Sequence, residues 1–345
     1  MLKKFEDILV IYNGRNQKKV EDENGQYPIY GSGGIMGYAN DFICPANTVI
    51  IGRKGSINNP IYVDKPLWNV DTAFGLVAKQ DQILPKYLYY FCKYFNFEKL
   101  NTTVTIPSLT KSNLLKIEVE VSSIANQQII VRKLEMIEKL IQLKKQELAK
   151  LDSLIKARFV EMFGDINTNS KKWDIQPLGD LCTIVRGGSP RPIEKFLGGN
   201  VPWIKIGDAT EGDHIYLYST KEHIVSEGVK KSRLVKAGSL IFANCGVSLG
   251  FARIITFDGC IHDGWLAMEN IDKRLNKVFL LQALNQMTEH FRNIAPAGTQ
   301  PNLNTAIMKA YKQIIPPMKL QKDFISFVTQ IDKSKVVNIF CVHRI

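Results

Sequence analysis

The sequence lacks the signatures of membrane, disulfide-stapled and zinc-binding proteins. None of its 345 residues belongs to a run of roughly 18 apolar residues, the length that a membrane helix needs. Glu6 and Asp7 place charges where a signal peptide would have its apolar core. The six cysteines are scattered, with no C-x-x-C pair. We therefore expect a cytoplasmic protein with reduced thiols, no metal site and no membrane association.

Catalytic motifs are missing as well. There is no Walker A motif, no Pro-Cys dipeptide, and no Glu-x-Lys or Asp-x-Lys of the common metal-dependent nucleases. Residues 58–62, Asn-Asn-Pro-Ile-Tyr, are only a near miss for the loop of an amine methyltransferase. The glycines of Gly31–Gly37 have the wrong spacing for a dinucleotide fingerprint and predict a tight turn. The neighbours Asp208 and Asp213, and His262 and Asp263, could pass for parts of an active site, but we interpret them as solvated loop residues. No catalytic residue and no bound cofactor are expected on this chain.

What the sequence does have is a positive charge, +12 at neutral pH. A basic protein favours a polyanionic partner such as a nucleic acid. The excess is spread along the chain, however, and no block resembles a basic tail. Charge alone therefore separates a nucleic-acid-binding protein only weakly from one with a plain basic surface.

The strongest feature is an internal duplication. Similar residues recur at a constant offset of 194 positions: Pro107 and Pro301, Leu109 and Leu303, Gln127 and Gln321, Ile130 and Phe324, Leu134 and Val328, and Ile137 and Ile331. Upstream, with small gaps, Ala46–Ser56 resembles Ala237–Val247, and both read as a strand that runs into a glycine turn. The chain is thus organised as a domain (1–122), a helix (123–165), a second domain (171–315) and a second helix (316–345).

The first helix is predicted over residues 124–163. Its apolar residues alternate at three- and four-residue spacing for more than four heptads, which indicates a coiled-coil-like helix. We expect these residues to form the partner-binding stripe: Ile130, Leu134, Ile137, Ile141, Leu148, Leu151 and Ile155, with Met162 continuing it. Phe163-Gly164-Asp165 supplies a glycine stop. A helix of this length is a rod of roughly 60 Å.

The second helix starts with the same pattern, at Phe324, Val328 and Ile331. Lys335 then falls where Ile141 stands in the first copy, and the residues after it lack the composition of a good helix former. We predict that the second helix is shortened. Our hypothesis is an altered end, from a frameshift or a recombination event.

Each domain has an α+β pattern without regular βαβ alternation. The predicted strands include Thr48–Ile51, Ile61–Val63, Ser239–Ala243 and Ala252–Phe257, and the clearer helices lie near Pro85–Leu100 and Lys277–Asn293.

These features together resemble the specificity subunit of type I restriction–modification systems. The resemblance rests on the order of domain and helix and on five segments: Pro-Ser-Leu-Thr (107–110), Gly-Thr-Gln-Pro-Asn-Leu (298–303), Ile-Ala-Asn-Gln-Gln-Ile-Ile-Val (124–131), Pro-Pro-Met-Lys-Leu-Gln (316–321) and Phe-Gly-Asp (163–165). It covers nearly the whole chain. Each segment alone is loose, but their double occurrence in this order is specific.

The resemblance implies two target-recognition domains, each reading one half of a bipartite site in double-stranded DNA. It implies that the two helices pair as an antiparallel coiled coil, set the spacing between the half-sites and dock two methylation subunits. Those subunits would supply the S-adenosylmethionine chemistry on adenine. An endonuclease and translocase subunit would join them, and the specificity subunit itself would have no catalytic activity.

Base reading in the major groove suits particular side chains: Arg or Lys for guanine, and Asn or Gln for adenine. Other Lys and Arg residues would hold phosphates. The candidate DNA contacts on the duplicated loops are, in the first domain, Arg15, Lys18, Arg53, Lys54, Ser56 and Asn58, and in the second domain Arg186, Ser189, Arg191, Asn244, Thr299, Gln300 and Asn302. Each could instead serve its own turn, since Ser and Asn often bond the backbone next to them.

Two other functions stay open at this stage. The chain could be the recognition end of a fused restriction–methylation enzyme, which the missing catalytic motifs argue against. It could also be a coiled-coil adaptor that never touches DNA, but then two loop-rich domains on one rod would have no purpose.

Overall fold

The boundary between the two halves of the chain lies inside the long predicted helix. The structure, a computed structural model, describes residues 1–101, 106–210, 214–246, 248–296 and 301–343, with side chains described as far as Lys335. Internal contacts divide the chain into unit 1, Met1–Leu143, and unit 2, Lys144–Ile345. Within the described residues, no helix combines the length and the apolar character that crossing a membrane requires.

Unit 1 mixes short strands with short helices. Its described strands are β1 (Leu2–Lys4), β2 (Leu9–Asn13), β3 (Tyr27–Gly31), β4 (Gly34–Ala39), β5 (Thr48–Gly52), β6 (Ile61–Val63), β7 (Trp68–Asn69), β8 (Ala73–Ala78) and β9 (Glu118–Glu120). Its described helices are α1 (Phe5–Ile8), α2 (Pro85–Tyr94), α3 (Lys111–Leu115) and the first part of α4 (Ile124–Phe163). A 3₁₀ helix at Phe97–Leu100 follows α2, so the helix predicted over 85–100 is split in two.

The core of unit 1 is built on a four-stranded antiparallel sheet in the order β2-β8-β5-β6. Strand β5 is buried along its whole length, as suits a run of mostly β-branched residues. Since successive side chains of a strand point to opposite faces, Val49 and Ile51 join one apolar cluster and Ile50 joins another. A second sheet, β4-β3-β7, contains one parallel pair, β3 with β7.

Unit 2 contains the end of α4 and repeats this architecture with additions. Its described strands are β10 (Asp174–Pro177), β11 (Thr183–Arg186), β12 (Leu197–Ile204), β13 (Tyr216–Leu217), β14 (Glu222–Ile224), β15 (Arg233–Val235), β16 (Leu240–Ala243), β17 (Ala252–Ile255), β18 (Gly259–Ile261), β19 (Trp265–Glu269) and β20 (Lys312–Ile315). Its further helices are α5 (Leu178–Leu181), α6 (Ser226–Val229), α7 (Lys277–Gln286), α8 (Thr288–Ile294), α9 (Thr305–Ala310) and α10 (Met318–His343).

The sheets of unit 2 correspond to those of unit 1. The main sheet has the order β11-β19-β16-β17-β13, in which the first four strands match β2-β8-β5-β6 in pairing and direction. The second sheet, β14-β12-β18-β15, again contains a parallel pair, β12 with β18. Leu240 and Phe242 of β16 face one cluster, while Ile241 and Ala243 face another. The sequence duplication is therefore a duplication of fold, and the α+β prediction is confirmed.

In each unit the strand that opens the domain pairs with the strand that closes it. β1 pairs antiparallel with β9, and β10 pairs antiparallel with β20. The long helices begin a few residues after the closing strands, at Ile124 and Met318. Each domain therefore starts and ends at one two-stranded ribbon beside the start of a helix.

One buried glutamine ties each long helix to its own domain. In unit 1, Gln127 Oε1 accepts from the backbone N–H of Leu84, and its Nε2 donates to the carbonyls of Gln82 and Ser122. In unit 2, Gln321 makes the same three bonds, to the N–H of Asn276 and to the carbonyls of Arg274 and Pro316. Leu84 and Asn276 are the residues that precede α2 and α7, so each glutamine joins the start of a long helix to the start of a domain helix.

Helix α4 has the bounds that the sequence predicts, Ile124–Phe163. Gly164 ends it with a φ of 78°, a conformation that glycine adopts without strain. Towards this end the buried face departs from the predicted stripe. Phe159 and Phe163 lie fully inside the core of unit 2, whereas Met162 is only half-buried.

Helix α10 runs antiparallel to α4 within unit 2. The ring of Phe324 lies 5.4 Å from that of Phe159 and 5.5 Å from that of Phe163. Eleven residues further on, Lys335 meets Asp152 on α4. Helix α10 continues past Lys335 to His343, although the apolar pattern is interrupted at Lys335 and the residues after it lack the composition of a good helix former. With 26 residues against 40, it is nonetheless the shorter helix.

Candidate nucleic-acid interface

The candidate loops of unit 1 meet at one place, which we call loop cluster 1 (residues 14–18, 53–58, 70–72 and 106–110). The backbone N–H of Arg53 donates to Thr72 O at 2.8 Å, and the N–H of Leu109 donates to Arg53 O at 2.9 Å. The N–H of Gly55 donates to Pro107 O at 3.0 Å. The Arg15 segment joins through a bond from its N–H to the carbonyl of Asn69, next to the 70–72 turn. Backbone bonds thus fix loops that are far apart in sequence.

Most of the candidate side chains of loop cluster 1 lie on its surface. Those of Arg15, Lys18, Arg53, Lys54 and Ser56 are exposed. The guanidinium of Arg53 lies 5.7 Å from the ring centre of Phe74, a cation–π contact that positions the group while the side chain stays exposed. Exposed Arg and Lys on a backbone that is fixed in place can bind phosphates or base edges without a large ordering cost.

Asn58 has a local structural role. Its Oδ1 accepts from the backbone N–H of Phe97 at 2.7 Å, and its Nδ2 donates to Asn96 at 3.3 Å. These bonds fasten the 53–58 loop to the 3₁₀ helix that follows α2. A DNA contact by Asn58 stays a prediction that has to compete with them.

Unit 2 has an equivalent loop cluster 2 (residues 186–191, 244–246, 262–264 and 301–303). The N–H of Leu303 donates to Asn244 O at 2.8 Å, and the N–H of Gly246 donates to Pro301 O at 3.1 Å. The N–H of Asn244 donates to Gly264 O at 3.0 Å. These are the same three bonds as in loop cluster 1, between the equivalent loops. The duplication therefore extends to the candidate interface.

In loop cluster 2, three predicted side chains converge on Asp263. Ser189 Oγ donates to Asp263 Oδ1 at 2.8 Å, and Arg191 lies 3.7 Å from Oδ2. Arg186 Nε donates to the backbone carbonyl of the same residue at 3.0 Å. His262 Nε2 also lies 3.0 Å from Oδ1. Asp263 is therefore the residue around which these groups are arranged.

The surroundings of His262 in loop cluster 2 favour its neutral form. Burial lowers the pKa of His262, and the nearby cations Lys205, Arg191 and Arg186 lower it further, against the opposing effect of Asp263. Its Nδ1 accepts from the backbone N–H of Gly264 at 2.9 Å, and its ring packs beside that of Trp203. An imidazole that is fixed in this way holds the 262–264 turn in shape.

Asn244 requires a correction. It is fully buried, and its Nδ2 donates to Asn302 Oδ1 and to the carbonyl of Leu303, both at 3.1 Å. A side chain inside the protein cannot reach a base edge, so Asn244 holds two loops together, and Asn302 is half-buried against it. The predicted contacts Thr299 and Gln300 lie outside the described residues.

The predicted stripe on α4 is covered to different degrees. Ile155 is buried in the core of unit 2 and Ile130 is exposed. The other predicted positions are half-buried: Leu134, Ile137, Ile141, Leu148 and Leu151. A second apolar row, which the sequence reading missed, is exposed in unit 1: Ile129, Met136, Leu140 and Leu143. Spacings of seven, four and three residues place this row on one side of the helix.

The sequence reading also missed the importance of His262 and Asp263. A signal was present, because Asp71 precedes Asp263 by 192 residues, close to the offset of the duplication. Asp71 stands in the corresponding turn of loop cluster 1, where it is exposed. An acidic residue at the same place in both copies indicates a role for this turn.

The described residues contain no group of three or more His, Cys, Asp or Glu side chains that could hold a metal ion. The glycine-rich segment Gly31–Gly37 forms the two-residue turn between β3 and β4 and the first part of β4, as predicted. The described loops present cations, hydroxyls and amides on a fixed backbone, groups that can bind a nucleic acid.

Comparison with known families identifies this arrangement. The family model for the type I restriction modification DNA specificity domain matches the chain twice, over residues 1–153 and 170–338. The chain belongs to this family. Its two matched segments carry loop clusters 1 and 2, one in each.

One curated specificity subunit is a distant relative in sequence. The chain is 22% identical over 172 residues to the type I restriction enzyme MjaIX specificity subunit of Methanocaldococcus jannaschii, a match that covers 49% of this chain and 40% of that protein. The chain thus spans well under two thirds of this curated relative.

Solved structures share the fold over the whole chain. The type I restriction–modification S subunit from M. genitalium aligns with a TM-score of 0.57 at 17% identity and covers 100% of this chain and 92% of its own. A chain from a structural study of complex assembly and conformational transition of the type I R-M system aligns with a TM-score of 0.62 at 12% identity and covers 100% and 93%. At such identities the likeness concerns the fold alone.

Proposed function

We propose that this chain is the DNA sequence-recognition subunit of a type I restriction–modification complex, and that each unit reads one half of a bipartite site. The observation that carries the proposal is the repetition of one loop cluster, held by the same three backbone bonds, in both units. A site that is built twice suits a target with two halves. Membership of the specificity family supports the same reading.

The side chains divide into two roles. Exposed Arg and Lys on the loops bind phosphates and guanine edges, and Ser, Thr, Asn and Gln add hydrogen bonds to bases. The phosphate contacts make affinity fall steeply as salt rises. Asn244 and Asn58 hold the loops in position through hydrogen bonds within the protein. The polar residues at 299 and 300 belong to the same loop in sequence as Asn302 and are proposed as further contacts.

The second part of the proposed function concerns the two long helices. We propose that α4 and α10 fix the spacing between the half-sites and that two methylation subunits dock on them. The exposed apolar row of α4, from Ile129 to Leu143, offers a surface for such a partner. S-adenosylmethionine would be bound by those methylation subunits, and an endonuclease and translocase subunit would join the complex.

The direct test is to express the chain together with a methylation subunit and to map modified adenines by single-molecule sequencing. A bipartite motif with a spacer of fixed length is the expected result. Assembly of the complex without modification, and without salt-dependent binding to duplex DNA, would contradict DNA recognition and favour a coiled-coil adaptor. Methyl transfer by the purified chain alone would contradict a non-catalytic subunit.

Variants can assign each half of the motif to its unit. The Arg53→Ala/Lys54→Ala protein should relax only the half-site that unit 1 reads, and Arg186→Ala/Arg191→Ala only the other, since one base contact contributes about 1–3 kcal/mol. Lys145→Ala is a matched control, because this exposed lysine lies on α4 outside both clusters. If both double variants weaken the two half-sites equally, the assignment of one half to each unit is wrong.

A further inference from the structure

The hairpin formed by β3 and β4 carries two large apolar side chains beside its turn. The turn itself consists of Ser32 and Gly33, and Gly31 pairs with Gly34 across it. Ile35 is 58% exposed and Met36 is 60% exposed. Single exposed apolar residues are common. Here two stand in succession at the β-bulge between the Tyr30–Ile35 and Ile29–Gly37 pairs, where the alternation of side chains is interrupted, and they form a small apolar tip. We call residues 31–36 the hairpin tip.

The hairpin tip lies against loop cluster 1. A Cβ built on Gly52 would lie 3.1 Å from Ser32 Cβ, and one built on Gly55 would lie 3.7 Å from Ser32 Oγ. Gly52 and Gly55 flank Arg53 and Lys54 directly in the chain. The turn of the hairpin is therefore a neighbour of the loop that carries the exposed cations.

Met36 is placed on the side of the tip that faces another loop of the cluster. A Cβ built on Gly31 would lie 2.6 Å from Met36 Sδ and 3.6 Å from Val70 Cγ2. The thioether thus crosses the space that a side chain at position 31 would fill, close to the 70–72 turn. That turn accepts the backbone N–H groups of Arg53 and Lys54 through the carbonyl of Thr72. Met36 and the basic loop therefore both lie beside the 70–72 turn.

Apolar and cationic groups side by side match the chemistry of the DNA major groove. Its walls are phosphates, which attract Arg and Lys, and its floor presents one apolar group, the 5-methyl of thymine. A protein partner would also accept apolar side chains. Exposed cations directly beside the tip, on a surface proposed to face DNA, favour base edges as the occupant.

We propose that the hairpin tip is a specificity-determining element of the half-site read by unit 1, in which Ile35 and Met36 contact thymine methyl groups. This inference rests on the proposed function and adds to it an apolar readout beside the polar one. It assigns a role to a glycine-rich segment that otherwise only forms a turn. Readout by the tip discriminates A·T pairs by the position of a methyl group.

The test uses the assembled complex with its methylation subunits and duplexes that carry the mapped motif. Each thymine of the unit 1 half-site is replaced in turn by uracil, which removes only the methyl group. For the wild-type complex, loss of one contacted methyl should weaken binding about fourfold, the value of one buried methylene-sized group. For the Ile35→Thr/Met36→Gln complex, the thymine duplex should bind more weakly and uracil should cause no further loss, the coupling that a double-mutant cycle detects.

Val10→Thr serves as the control, since Val10 is a 45% exposed apolar residue on strand β2 of the same unit. It should bind the thymine duplex like the wild type and keep the uracil effect. Equal uracil effects in the wild type and the tip variant would overturn this inference but not the proposed function. A unit 1 half-site without any A·T pair would have the same meaning. Failure of the tip variant to assemble with methylation subunits would overturn it in favour of a protein contact. A wild-type complex that recognises no DNA motif would instead overturn the proposed function.

Discussion

Lys335 Nζ lies 2.7 Å from Asp152 Oδ1, so the residue that breaks the apolar pattern of α10 is paired with α4. The lysine side chain is only 11% exposed and also lies 3.2 Å from Asp332, one turn earlier in its own helix. Asp152 is 39% exposed, which leaves the pair in contact with water on one side. A polar pair between apolar helices favours one register over its neighbours.

Removing one partner of this pair should weaken unit 2 moderately. For Asp152→Asn we expect a loss of about 1 kcal/mol in the free energy of unfolding, because Asp332 keeps the lysine paired and solvent screens the rest. Lys335→Met should be close to neutral, since methionine suits the apolar surroundings. Urea denaturation measures both, with Glu161→Gln, in an exposed pair with Arg158, as the control. A stability of Asp152→Asn equal to that of the control would argue against the pairing.

The two buried glutamines should be more costly to replace. Gln127→Ala and Gln321→Ala each leave one backbone N–H and two carbonyls without a partner, so each should lower the free energy of unfolding by about 3 kcal/mol. Gln128→Ala is the matched control, because Gln128 is the exposed neighbour of Gln127. Chemical denaturation of the full chain, followed by hydrogen exchange at Leu84 and Asn276, measures the effect. Unchanged exchange at these two amides would contradict the assigned bonds.

Asp263 should act as a positioning residue for the half-site that unit 2 reads. Asp263→Ala removes the acceptor of Ser189 and the partner of Arg191, so recognition of that half-site should fall by about tenfold, a value typical of a lost base contact. Asp263→Asn keeps an acceptor for Ser189 and should recover part of it. The readout is the ratio of modification at sites altered in either half. Equal losses for both halves, or a similar loss in the control Glu289→Ala on α8, would contradict this role.

The stability of unit 2 should fall as the solution is acidified through the titration of His262. Because burial and nearby cations lower its folded-state pKa below the ordinary value of 6.5, the unfolded chain binds the extra proton first as pH falls. The contribution of neutral His262 to the stability of unit 2 is therefore complete above pH 6.5 and is lost progressively below it. His262→Gln should flatten this dependence. The test is to measure the urea midpoints of the wild type and of His262→Gln across this pH range. Parallel changes in the two proteins would refute the assignment to His262.

Secondary structure and the duplication were predictable because both rest on patterns that the sequence itself contains. The heptad spacing gave the bounds of α4, and the β-branched run Thr48–Ile51 became a buried strand. The constant offset predicted two copies of one fold. These features depend on periodicity and spacing, which a single sequence displays directly.

Burial at particular positions was less predictable, because it depends on partners that are distant in the chain. Asn244 looked like a loop residue suited to adenine, yet a neighbouring loop covers it. Lys335 interrupted the apolar pattern of the second helix, yet it pairs with Asp152 on another helix. Met162 followed the heptad, but Phe159 and Phe163 point into the core. In each case tertiary contacts outweighed the local pattern.

The ribbons β1·β9 and β10·β20 have a consequence for how this chain can evolve. Since each domain enters and leaves at neighbouring strands, two crossovers within those strands exchange everything between them and leave both helices intact. Such a double crossover in the encoding gene would replace one recognition domain by another. The short strands that close each domain therefore define an interchangeable cassette.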